Sequence, residues 1–152
     1  MRINSKIVIG ATVLLAIIIA GTIWATRSGS PVPDFQNRVT LAGGQTFPVS
    51  LWIDPTPAST GTNSLTVQVA DPTGNPIPVN DVNLYIYPEG EFPQSSIPTT
   101  YTNNAPIHDF LGTGHGYNAN VDIPSPGKWN IEVHFTVQQG ASTTTFVIEV
   151  ED

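Results

Sequence analysis

Residues Gly114 to Val133 read GHGYNANVDIPSPGKWNIEV. Tyr117, Ala119 and Val121 alternate with Asn118, Asn120 and Asp122. After Pro124-Ser125-Pro126-Gly127 the alternation resumes at Trp129, Ile131 and Val133 and continues to Phe135 and Val137. Successive side chains of a strand point to opposite faces, so a period of two marks two half-buried strands. Pro126-Gly127 suits a type II turn: proline fixes φ at the first central position and glycine accepts φ > 0 at the second. Trp129 has the parity of the apolar set and is expected to cap the end of a core. Tyr117 is expected to turn its ring inward and its hydroxyl to a backbone group, as in a tyrosine corner. A tryptophan can also line a sugar or ligand site, but core parity beside a turn favours packing. The stretch therefore reads as framework.

The same pattern extends outward in both directions. TFPVSLWID places Phe47, Val49, Leu51 and Ile53 on one face, and NSLTVQVAD places Leu65, Val67 and Val69. DVNLYIYP gives Val82, Leu84 and Ile86, with Tyr85 and Tyr87 opposite, and TTTFVIEV gives Thr144, Phe146, Ile148 and Val150. A weaker strand is read through Ile107 to Leu111. DPTGNP (Asp71 to Pro76), PSPGK (Pro124 to Lys128) and QQGAS (Gln138 to Ser142) punctuate the runs at hairpin-like distances. LAGGQT, with Gly43-Gly44, is read as a hairpin turn, since no helix follows it to make a phosphate cradle. About seven short strands with one apolar face each predict an all-β fold. The expected architecture is an immunoglobulin-like antiparallel β-sandwich over residues 41–152.

The chain has 152 residues and no cysteine, which excludes a disulfide framework and a thiolate metal site. Ile7 to Thr26, IVIGATVLLAIIIAGTIWAT, carries no charge. At about 1.5 Å per residue, a helix of this length crosses the ~30 Å hydrocarbon core. Residues 7–26 are thus read as one N-terminal transmembrane helix that anchors the chain. Arg2 and Lys6 precede it and only Arg27 follows. The positive-inside tendency puts residues 1–6 in the cytoplasm and the domain outside the cell membrane. The competing reading, a cleaved signal peptide, has a shorter apolar run and a small-x-small site; here, for cleavage after Ala25, Ile23 occupies the other position that should be small. Residues 27–40, which include SGSPVP, read as a linker. From Ser28 onward only Arg38 and Lys128 are basic, against twelve acidic residues. Such a domain is repelled by nucleic acid and by anionic headgroups.

Three parts of the chain together resemble the YtkA-like domain of bacterial membrane proteins. They are PTPASTGTNSLTVQVADPTGNPIPVNDVNLYIYP, GHGYNANVDIPSPGKWNIEV and the final TFVIEV. The matching residues are Gly61, Asn63, Asp71, Gly74 and Pro76, then Gly116-Tyr117, then Pro126-Gly127 with Trp129. That family is similar to the C-terminal domain of CopC/CopD-type copper proteins and to FixH. The resemblance implies a membrane-attached β-sandwich with an accessory role in copper handling or cytochrome oxidase assembly, docking to a membrane or periplasmic protein. It carries over no catalytic residue.

Site chemistry is sparse. His108, His115 and His134 are the only histidines, and Met1 is the only methionine, so a thioether copper(I) site in the domain is excluded. His108 and His115 flank FLGTG. Across a tight hairpin their rings could converge with Asp109 on copper(II) or zinc. The plainer reading is two polar loop residues, and no cofactor is required. His134 has solvent parity, with Asn130 and Glu132. No nucleophile elbow or ordered Ser/His/Asp pattern supports an enzyme. Glu149, Glu151 and Asp152 lack a loop to converge them on calcium and read as a solvated end.

Overall fold

A computed structural model describes residues 33–105 and 114–152. Ten strands occupy the described residues: β1 Phe35–Thr40, β2 Thr46–Asp54, β3 Ala58–Ser59, β4 Gly61–Val69, β5 Asn80–Pro88, β6 Ile97–Pro98, β7 Thr100–Ala105, β8 Gly114–Ile123, β9 Gly127–Val137 and β10 Gly140–Glu151. They form two five-stranded sheets, in the orders β1-β2-β4-β8-β7 and β3-β10-β9-β5-β6. The inward residues of both sheets make one hydrophobic cluster, which is the core of a β-sandwich.

The period-two sets form this core. Phe47, Val49, Leu51 and Ile53 of β2 are buried, as are Leu65, Val67 and Val69 of β4 and Ile131, Val133 and Phe135 of β9. The six strands with clear alternation appear within a few residues of their expected bounds. The hairpin LAGGQT joins β1 to β2, with Gly44 N–H donating to Leu41 O and Gly44 at φ +78°.

Four features differ from the sequence reading. First, the strands number ten, because β1, β3, β6 and β7 have too few apolar residues to show a period. Second, pairing is not wholly antiparallel: β3 runs parallel to the end of β10, at Val150↔Ala58 and Glu151↔Ser59. Third, Phe35–Thr40, assigned to the linker, is an edge strand. Asn37 interrupts the apolar alternation of Phe35 and Val39, yet its Nδ2 reaches the second sheet, donating to Thr144 Oγ1 at 3.1 Å and Thr145 O at 2.9 Å. Fourth, neither DPTGNP nor PSPGK joins two strands of one sheet, although DPTGNP closes a tight local reversal in which Ala70 bridges Pro76 and Asp71 N–H donates to Asn75 O. They carry the chain from one sheet to the other, β4 to β5 and β8 to β9, whereas QQGAS makes the true hairpin of β9 and β10.

Trp52 breaks the parity rule. It shares a row with Ser50 and Thr66, on the face of the first sheet that points away from the core, and all three are buried, Trp52 to 3% exposure. The proposed strand Ile107–Leu111 and the apolar segment 7–26 lie outside the described residues. Among the described residues, no helix is long and apolar enough to cross a membrane.

Candidate functional site

The opening motif resolves into packing. Tyr117 on β8 is 6% exposed, and its hydroxyl lies 2.6 Å from both the N and the O of Val79. It accepts from the amide and donates to the carbonyl. This bond ties the first sheet to the connection that leads into β5 of the second. The motif thus differs from a tyrosine corner in reach: the bonded backbone is 38 residues away in sequence. Burial pushes the phenol above its ordinary 10.0, opposed by the Val79 hydrogen bond. Trp129 is buried and donates Nε1–H to Ser125 O at 3.0 Å, within the turn that precedes it. Gly127, at φ +119°, occupies the left-handed region that Pro126-Gly127 anticipates. Gly116 is buried opposite Thr102 of β7.

Asn63 is fully buried at the head of β4. Its Oδ1 accepts from Ser59 N at 3.1 Å, and its Nδ2 donates to Ser59 O at 2.7 Å and Gly61 O at 2.9 Å. It therefore holds the short chain reversal between β3 and β4. Asp71 acts similarly in the β4–β5 connection, accepting on Oδ1 from the amides of Thr73 and Asn75 and from the Thr73 hydroxyl. These bonds, the Thr73 hydroxyl first, hold its carboxyl below the ordinary 3.8. Among the described residues, no buried side-chain polar atom lacks a hydrogen-bond partner.

The histidines occupy different places. His115 lies on β8 at the open end of the first sheet, exposed. Its Nδ1 is 2.6 Å from the Tyr101 hydroxyl of β7, with the two rings nearly parallel. Tyr101 also packs against Tyr117, with ring centroids 5.2 Å apart. Sequence reading missed Tyr101 because β7 carries no apolar alternation. His108 and Asp109, the other expected ligands, lie outside the described residues. Among the described residues, no group of three His, Asp or Glu side chains is placed to hold a metal ion.

His134 has the expected solvent-side position, on the second sheet. Its Nε2–H donates to Glu132 Oε1, and its ring packs on Tyr85 with centroids 4.7 Å apart. Glu132 Oε2 accepts from the Tyr87 hydroxyl at 2.8 Å. The His134 bond is the main cause holding the Glu132 carboxyl below 4.5; partial burial opposes it and the Tyr87 bond assists. The same carboxylate pushes the Tyr87 phenol up. Tyr85, Tyr87, Glu132 and His134 thus form one polar-aromatic row across β5 and β9. Cross-strand pairing places it: Tyr85 lies opposite Glu132, and Asn83 opposite His134.

A comparison of this chain with family models, with curated proteins and with solved structures gives no match.

Proposed function

We propose that this chain is a membrane-anchored, extracytoplasmic interaction module with an immunoglobulin-like topology. Reading β2, β4, β5, β6, β7, β8, β9 and β10 as strands A, B, C, C′, D, E, F and G supports that topology. The strand orders then become A-B-E-D and G-F-C-C′. An accessory role in copper handling or cytochrome oxidase assembly follows from the YtkA-like resemblance, with a membrane or periplasmic protein as the partner.

One observation carries the interaction reading. Among the described residues, three buried polar side chains are turned on the framework itself: Tyr117 on Val79, Asn63 on Ser59 and Gly61, Trp129 on Ser125. Ligand and catalytic sites are built from convergent polar groups aimed into a cavity. Here chemistry is left to the surface, where a partner chain would meet it. The anchor reading is tested by a reporter fused after Asp152. Activity outside the cytoplasm with full-length protein in the membrane fraction is expected; a soluble product beginning near Thr26 would establish the cleaved-signal reading.

The second reading is a weak copper(II) or zinc carrier through His108 and His115. The Tyr101–His115 contact favours it. When Nδ1–H donates to the Tyr101 oxygen, the lone pair of Nε2 is fixed outward, the arrangement that ligating imidazoles adopt. In the opposite tautomer the tyrosine donates and Nε2 carries the proton, which blocks ligation.

A further inference from the structure

The rim of the second sheet is closed at two points and open between them. At one point, Asn37 of β1 caps the carbonyl of Thr145 on β10. At the other, β3 pairs with Val150 and Glu151, and Thr60 N–H donates to Glu151 O. Thr145 and Glu151 both turn their carbonyls away from β9. Main-chain groups alternate in direction along a strand, so Val147, of the same parity, turns its N–H and C=O to the open side as well. Val147 is half exposed, and no described residue pairs with its main chain there. The interval from Thr145 to Val150 measures roughly 16 Å at about 3.3 Å per residue.

This interval borders a groove of about 490 Å³. Its walls are Phe35, Ile53, Pro57, Ala58 and Ile148. Asp34, Lys128 and Glu149 stand at its rim. Lys128 and Glu149 are cross-strand partners and offset one another. Asp34 adds a negative charge, with its Oδ2 taking the Ile53 amide at 2.7 Å. Open main-chain groups beside an apolar hollow are the two components of strand addition: the backbone gives affinity and the hollow takes a side chain.

We propose that this groove accepts an extended segment of another polypeptide as a short added strand beside β10. The segment carries one apolar side chain for the hollow and lysine or arginine beside it. Charge selects this occupant over a second copy of the chain. Two copies meeting here would bring together Asp34 and Glu149 from each, in domains with two basic residues against twelve acidic ones. The proposal rests on the interaction-module reading but not on the membrane anchor. A reporter found inside the cell would leave the groove intact, and loss of groove binding would leave the topology result intact.

The test uses the full chain in detergent micelles and two nine-residue probes. Both alternate threonine and valine around a central phenylalanine, with a lysine at each end; one is N-methylated at the phenylalanine and its neighbours. Amide resonances of Val147 and Glu149 are expected to shift saturably with the first probe, at one peptide per chain. N-methylation, which removes the pairing donors, is expected to weaken binding by about tenfold or more. Val147→Pro should do the same, because it deletes the edge N–H at a position where an edge strand tolerates proline. Thr143→Pro, on the same edge but away from the groove, should leave binding unchanged. Should a proline variant fail to fold, the N-methylated probe still decides. The proposal is overturned by absence of saturable shifts, by equal binding of the two probes, or by shifts centred on Tyr85 and Glu132. Self-association of the chain that Val147→Pro abolishes would also overturn it, in favour of a second copy.

Discussion

Tyr117 and Trp129 show how single side chains link the layers of this sandwich. The Tyr117 hydroxyl serves both main-chain polar groups of Val79, so Tyr117→Phe strands a donor and an acceptor together. The expected cost is about 1–3 kcal/mol, read from denaturant midpoints at unchanged slope. The variant should also change the alkaline limb of stability. Burial raises the folded-state value above 10.0, so the group's contribution is complete below pH 10.0 and is lost as pH rises through the folded value. The wild-type chain should therefore lose more stability above pH 10.0 than the phenylalanine variant. Trp129→Ala opens a cavity at the end of the core and should cost about 3–5 kcal/mol. An indole accessible to a quencher in the folded protein would contradict the packing assigned to it. Both residues were legible in the sequence as core, from their parity. What the sequence could not give was the Tyr117 partner, since Val79 is brought near only by the crossing from β4 to β5.

At the level of elements, alternation located the strands with long apolar faces and missed those without. β3, β6 and β7 are short or polar, and their places depend on longer neighbours. β1 was hidden because a polar residue, Asn37, occupies an inward position to bond β10. The turns were identified but misassigned in topology: PSPGK and DPTGNP have hairpin chemistry, yet pairing partners decide which sheet the next strand joins. Asn63 belongs to this scale, because it organises an entire reversal. Asn63→Ala should cost about 1–3 kcal/mol, since it leaves part-buried main-chain groups of Ser59 and Gly61 without their partner. Hydrogen exchange offers the direct check: protection should fall first at the Ser59 amide, which Asn63 Oδ1 holds. Unchanged protection at Ser59 would mean that the β3–β10 pairing alone maintains the reversal.

For the whole molecule, the proposed interaction role rests on the acidic composition, the framework use of buried polar groups and the open rim of β10. Of the candidate metal ligands, only His115 lies among the described residues. Sequence supplied His108, His115 and Asp109 by proximity, but it gave no sign of Tyr101, whose hydroxyl meets His115 Nδ1. His134 was correctly assigned to the outer face of the second sheet, but its pairing with Glu132 follows from their positions two residues apart on one face. These two described histidines lie on different sheets, each with its own partner.

The measurement that bears most directly on interaction versus metal carriage is calorimetric titration of the chain with copper(II), and with copper(I) under reducing conditions. An interaction module with this ligand supply should bind either ion weakly or not at all. Any copper(II) signal should vanish in His108→Ala or His115→Ala and persist in His134→Ala. Stoichiometric, submicromolar binding of either ion would contradict the interaction reading and establish the chain as a metal carrier.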